Sequence, residues 1–117
     1  MMNDSIAIKV LEMVGSKLCV DSSDGQKVHD QIAAALKAGK QVRLSFSNVE
    51  SLTSAFLNAA IGQLYSEFSE QKIRAAVSVS DMNPDDVELL KRVVEAAKVY
   101  FKSPEQTKKI VGGTLGE

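Results

Sequence analysis

Residues 41–49 alternate. Val42, Leu44 and Phe46 are apolar, and Arg43, Ser45 and Ser47 between them are polar. A period of two is that of a β-strand with one face turned to a core. On both sides the period changes. Val28, Ile32, Ala35 and Leu36 recur at helical spacing before this stretch, as do Leu57, Ala60, Ile61, Leu64 and Phe68 after it. Each set forms one apolar helical face. A strand set between two amphipathic helices calls for a mostly parallel sheet with helical crossovers.

The rest of the chain extends that pattern. Ile6, Ile8 and Val10 fall on one side of a strand within 5–14, and 17–20 predicts a second short strand after Gly15-Ser16, paired with the first as a hairpin. Residues 21–25 read as a loop of helix-capping types, followed by a helix over 26–37. Gly39 sits just past its last turn, where a left-handed residue ends many helices. The second helix starts at Thr53 or Ser54 and runs to about Ser69. Ile73, Ala75, Val77 and Val79 predict another strand over 72–79. Asn83-Pro84-Asp85-Asp86 then opens a third helix, with a capping amide, a proline at the first helical position and two acids at the positive end. That helix carries two adjacent apolar stripes over 87–101. Ser103-Pro104 predicts its end, because proline disfavours helical geometry in the residue before it. The expected fold is therefore α/β: a mixed, mostly parallel sheet of about four strands, with three main helices packed mainly on one face. Residues 1–103 form the domain and 104–117 a flexible tail.

Composition narrows the function. The 117 residues carry 14 Lys and Arg against 15 Asp and Glu, a net charge of −1. That balance offers no basic field for nucleic acid or for an anionic membrane. No apolar run approaches the roughly 20 residues needed to span a bilayer, and the polar start is unlike a signal peptide, so a cytoplasmic setting is expected. Cys19 and His29 are the only residues of their kinds. No internal disulfide, four-cysteine zinc site or two-histidine metal site can form from them. Glycine-rich phosphate loops are missing from every strand-to-helix junction. No cofactor, metal or catalysis is expected. His29 reads as a half-exposed helix residue and Cys19 as a small buried hydrophobe.

One junction stands out. Between the clearest strand and the second helix, Asn48, Glu50, Ser51, Thr53, Ser54 and Asn58 place hydroxyls, an acid and amides around one turn. Thr53 or Ser54 can cap the helix. The same free amides and dipole also favour a phosphate at that position.

The order of elements, with Leu44-Ser45-Phe46-Ser47-Asn48-Val49 and Thr53-Ser54-Ala55-Phe56, resembles the STAS fold of sulfate transporters and anti-sigma-factor antagonists. The nearer likeness is to bacterial STAS-like domains of unknown function, over about residues 5–102. The resemblance implies a non-enzymatic protein-interaction module that switches partners with a histidine-kinase-like ATPase acting as a serine kinase. It implies Ser54, with Thr53 as the alternative, as phosphoacceptor, and a docking surface of Asn48, Glu50, Ser51, Thr53, Ser54 and Asn58. The antagonists usually carry Asp-Ser/Thr-Ser/Thr-Gly at this turn, and here Thr53 replaces the acid, Ala55 a hydroxyl and Phe56 the glycine. Two other readings stand beside it. The doubled stripe of 87–101 suits a homodimer interface. Ser45, Ser47, Asn48, Ser78, Ser80 and Asp81, at the carboxyl ends of parallel strands, suit a small-ligand site.

Overall fold

The computed structural model describes the backbone of residues 4–110 and the side chains of residues 4–101. Its elements are β1 (Ser5–Lys9), α1 (Val10–Val14), β2 (Leu18–Cys19), α2 (Ser22–Lys37), β3 (Gln41–Ser45), β4 (Ser51–Leu52), α3 (Ser54–Ala60), a 3-10 turn (Gly62–Ser66), α4 (Glu70–Ala76), β5 (Val77–Ser80) and α5 (Pro84–Ile110). The strands form two parallel sheets instead of one of four strands, ordered β1-β3-β5 and β2-β4. Among the described residues no helix is long and apolar enough to cross a membrane.

The alternation in β3 does what its period predicts. Val42, Leu44 and the following Phe46 are buried, and Arg43 is exposed. In register with them, Ile8 of β1 is buried and Val77 and Val79 of β5 are half-buried, whereas Ala7, Lys9, Ser78 and Ser80 face out. Helices thus cover one side of the sheet. Parallel sheets are usually covered on both faces, and this one meets water on the other through a polar, small-residue surface. Against the buried face α2 packs on β3, α3 packs on α2, and α5 packs on α3 and the 3-10 turn. The core joins Val28, Ile32 and Leu36 of α2 to Leu44, Phe56, Leu57 and Leu64, all at most 1% exposed. Each such side chain contributes about 1.5–3 kcal/mol relative to an exposed one.

Several expectations need correcting. The hairpin does not form. Val10–Val14 is a helix closed by Gly15 in the left-handed region (φ 82°), so β2 is carried away from β1 and pairs with β4. Helix α2 begins at Ser22 rather than Gln26, because Ser22, Ser23 and Asp24 suit a first turn as well as a loop. It ends as predicted. Gly39 (φ 77°) donates to the Leu36 carbonyl and Lys40 to that of Ala35, which satisfies two free acceptors at once. The second helix breaks at Ile61 into the 3-10 turn. Residues 70–76 are helical, not extended. The Ser69 hydroxyl accepts from the Lys72 amide, and Arg74 pairs with Glu70 one turn away at 2.7 Å. These local bonds outweigh a period of two that Ala75 and Ala76 leave ambiguous.

The start of α5 follows the prediction, with Asn83 Oδ1 accepting from the Asp86 amide at 2.9 Å. Its end does not, since α5 runs through Pro104 to Ile110. A proline removes one hydrogen bond and bends a helix, and that penalty disfavours continuation without forbidding it. Of the tail expected over 104–117, residues 111–117 lie outside the described residues. The second stripe of α5 (Leu89, Val93, Ala96 and Tyr100) is only partly covered: Val93 is buried and Leu89 half-buried, whereas Ala96 is exposed and Tyr100 is 65% exposed.

Candidate functional site

The junction after β3 is built as a tethered turn. Asn48 takes a left-handed φ of 64°, which asparagine tolerates better than most residues, and the chain reverses. The Glu50 amide donates to the Lys17 carbonyl at 2.9 Å, their side chains pair at 3.5 Å, and β4 lies beside β2 with Ser51 opposite Leu18. Thr53 then closes the tether. Its hydroxyl donates to the Val20 carbonyl at 2.9 Å and accepts from the Phe56 amide at 3.2 Å, capping α3. Both capacities of that oxygen are taken by the fold.

Ser54 is different. It is exposed, and its hydroxyl has no hydrogen-bond partner among the described residues. Asn48, Glu50, Ser51 and Asn58 are exposed as well, Thr53 is half-buried, and of this set Ser54 and Asn58 line one groove. Of the two phosphoacceptor candidates, only Ser54 presents a free oxygen. Thr53→Ala should therefore lower the unfolding free energy by about 1–2 kcal/mol, whereas Ser54→Ala should change it by less than about 0.5 kcal/mol. Urea unfolding of both variants checks this division of labour.

Beside Ser54 runs an open groove of about 500 Å³ between α3 and α5, lined by Ser54, Ala55, Asn58, Leu89, Arg92 and Val93. Its floor is mostly apolar. Arg92 is exposed and makes no ion pair among the described residues. The groove thus offers one uncompensated positive charge next to a free hydroxyl. Sequence reasoning missed Arg92, which lies almost 40 positions from Ser54 and shares a groove with it only through the packing of α5 on α3.

The other residues singled out in the sequence have structural work. His29 is buried (5% exposed), not half-exposed. Its Nδ1 lies 3.0 Å from Asp30 Oδ1 and its Nε2 3.1 Å from Glu67 Oε2, so it links α2 to the end of the 3-10 turn. The bond from His29, followed by that from Gln26, holds the Asp30 carboxyl below the ordinary range. Cys19 is fully buried, and burial, followed by the nearby Asp24 carboxylate, pushes its thiol up and away from the reactive thiolate. At the carboxyl ends of the strands, Ser45 Oγ donates to Asp81 Oδ2 at 2.7 Å and Ser80 Oγ to the same oxygen at 3.3 Å. Asp81 takes a φ of 62° there. Ser47 joins only through its amide, which donates to Ser45 Oγ, and Ser78 lies on the open face of the sheet. This network ties β3 to β5.

Residues 24–87, just over half of the chain, match a STAS-like domain of unknown function (DUF4325). The matched stretch reaches from the first turn of α2 to that of α5 and contains the turn over 48–58, whereas its anchors Lys17 and Val20 precede it. No curated protein and no solved structure matches the chain.

Proposed function

The chain belongs to the STAS-like domain family, and on that premise we propose that it is a non-enzymatic, cytoplasmic protein-interaction module that docks through the turn over 48–58. Its partner in this reading is a histidine-kinase-like ATPase, which phosphorylates Ser54 and so releases or recruits a second protein. One observation carries the reading: among the described residues, the Ser54 hydroxyl has no partner and stands at the rim of a mostly apolar groove whose one charged residue, Arg92, makes no ion pair. A phosphoryl group there would add almost two negative charges beside that guanidinium. Thr53 is the scaffold of the turn and not its modified residue.

The test has two arms. The chain is incubated with the ATPase encoded nearest its gene and with ATP, then run on a phosphate-affinity gel. Wild type and Thr53→Ala should be retarded, and Ser54→Ala should run unmodified. Unchanged mobility of wild type removes the switch. Docking is read separately by calorimetry against the same ATPase, where Arg92→Glu should weaken binding by at least about tenfold, a loss of about 1.4 kcal/mol. Equal affinity of wild type and Arg92→Glu removes the groove from the interface.

A further inference from the structure

A second recess lies under a different stripe of α5. Strand β5 is at the edge of its sheet, and its inward Val77 and Val79 are half-buried, whereas Val42 and Leu44 beside them on β3 are fully buried. The reason is the course of α5. It packs on α3 and the 3-10 turn, and its Leu90 and Val94 do not close onto β5. What remains is a cavity of about 230 Å³ walled by Ile61, Ile73, Val77, Val79, Leu90 and Val94. An apolar protein cavity of roughly 150 Å³ already accepts benzene, so this one has room for a ring and a small substituent.

The mouth has the opposite chemistry. Lys98 Nζ lies 3.0 Å from Glu70 Oε2, and Arg74 Nη2 lies 2.7 Å from the same oxygen. Lys98 also reaches the exposed Glu95 at 3.5 Å. Two cations thus share one carboxylate at the rim, and each keeps N–H donors in excess of these bonds. Tyr65 completes the rim. The residue is half-buried, and its hydroxyl has no hydrogen-bond partner among the described residues. Burial pushes the phenol up, with the Lys98 charge opposing, and it stays a donor at neutral pH. One unpartnered hydroxyl and the spare N–H groups of two ion-paired cations border an apolar interior, the usual make-up of a small-molecule site.

We propose that this cavity binds a small carboxylic acid with a compact apolar body, of about the size of phenylacetate. The hydrocarbon part fills the space between β5 and α5, and the carboxylate accepts from the Tyr65 hydroxyl, Lys98 and Arg74. The site uses Leu90, Val94 and Lys98 of α5, whereas the docking groove uses Leu89, Arg92 and Val93, so the two stand or fall separately.

Phenylacetate titrated into the full chain, followed by amide chemical shifts, tests it. Saturable shifts at Tyr65, Ile73, Val77, Val79, Val94 and Lys98 are expected, with a Kd of about 1 mM or tighter for a ligand of this size. The neutral phenylacetamide should bind about tenfold more weakly, since it offers no charge to the two cations. Lys98→Met should give a comparable loss for phenylacetate, and Val79→Phe, which fills the cavity, should abolish the shifts. No saturation at roughly ten times that concentration overturns the proposal, as do shifts centred on Ser54 and Arg92. Equal binding of acid and amide overturns the carboxylate assignment on the wild-type chain alone, whatever the variants do.

Discussion

Replacing Phe56 by alanine is expected to lower the unfolding free energy by about 3–5 kcal/mol, measured by urea denaturation. Phe56 has no exposed surface and is the largest fully buried side chain among the described residues. Helix α3 packs on α2, α5 and the 3-10 turn, so the space left by the ring is walled by elements that cannot all collapse into it. Phe56→Leu keeps most of the volume and should cost about 1–1.5 kcal/mol. The functional consequence is specific. Phe56 stands two residues after Ser54, and its amide is the one that Thr53 caps. Loosening the ring frees the first turn of α3 and with it the rim that carries the free hydroxyl. A loss below about 1 kcal/mol would show that the turn is held by its tether to β2 alone.

Gly25→Ala is expected to destabilise by about 2 kcal/mol, against the direction that helix propensity predicts. Alanine in a helix interior gains roughly 1 kcal/mol over glycine. At Gly25, however, an added Cβ would lie 2.5 Å from the Phe56 carbonyl oxygen and 2.9 Å from Ala59 Cβ. One of these is backbone, so relief requires α2 and α3 to move apart, and overpacking of this kind typically costs about 1–3 kcal/mol or more. Ala59→Gly in the same chain should therefore restore little. For a domain of about this size, 1 kcal/mol corresponds to a fall in Tm of roughly 4–8 °C. A variant as stable as wild type would mean that the two helices are not in close contact at this point. Together the two substitutions probe the α2–α3 interface, the packing that places the candidate turn at the surface.

Elements were readable in the sequence where local and tertiary preferences agree. β3 shows its faces because the sheet buries one side and leaves the other wet, so its residues alternate. The end of α2 and the start of α5 were readable because Gly39, Asn83 and Pro84 act through backbone geometry and hydrogen bonds within a few residues. Two of the misreadings share one cause. Val10–Val14 and residues 72–76 hold apolar or small residues that fit either period, and each was settled by a short-range bond: Gly15 closing one helix, and Ser69 with the Glu70–Arg74 pair supporting the other. Gly25, assigned to a loop, is a helical residue kept small by a neighbour more than 30 positions away.

The candidate site divides in the same way. Its hydroxyls and its place after the clearest strand were visible as a pattern, and the family assignment of residues 24–87 agrees with the resemblance drawn from them. Sequence alone could also settle the chemistry the chain lacks the parts for, because one cysteine and one histidine cannot make a two-histidine or four-cysteine metal site. The roles within the turn were decided only by tertiary structure. Thr53 and Ser54 are adjacent hydroxyls with nearly equal capping ability, and nothing local separates them. The Val20 carbonyl, brought to Thr53 by the β2–β4 pairing, engages one hydroxyl and leaves the other free. Arg92 reaches the same groove only because α5 packs across α3. A side chain's local bonding follows from its neighbours in the chain, but which groups remain unsatisfied at a surface depends on what distant segments bring to it.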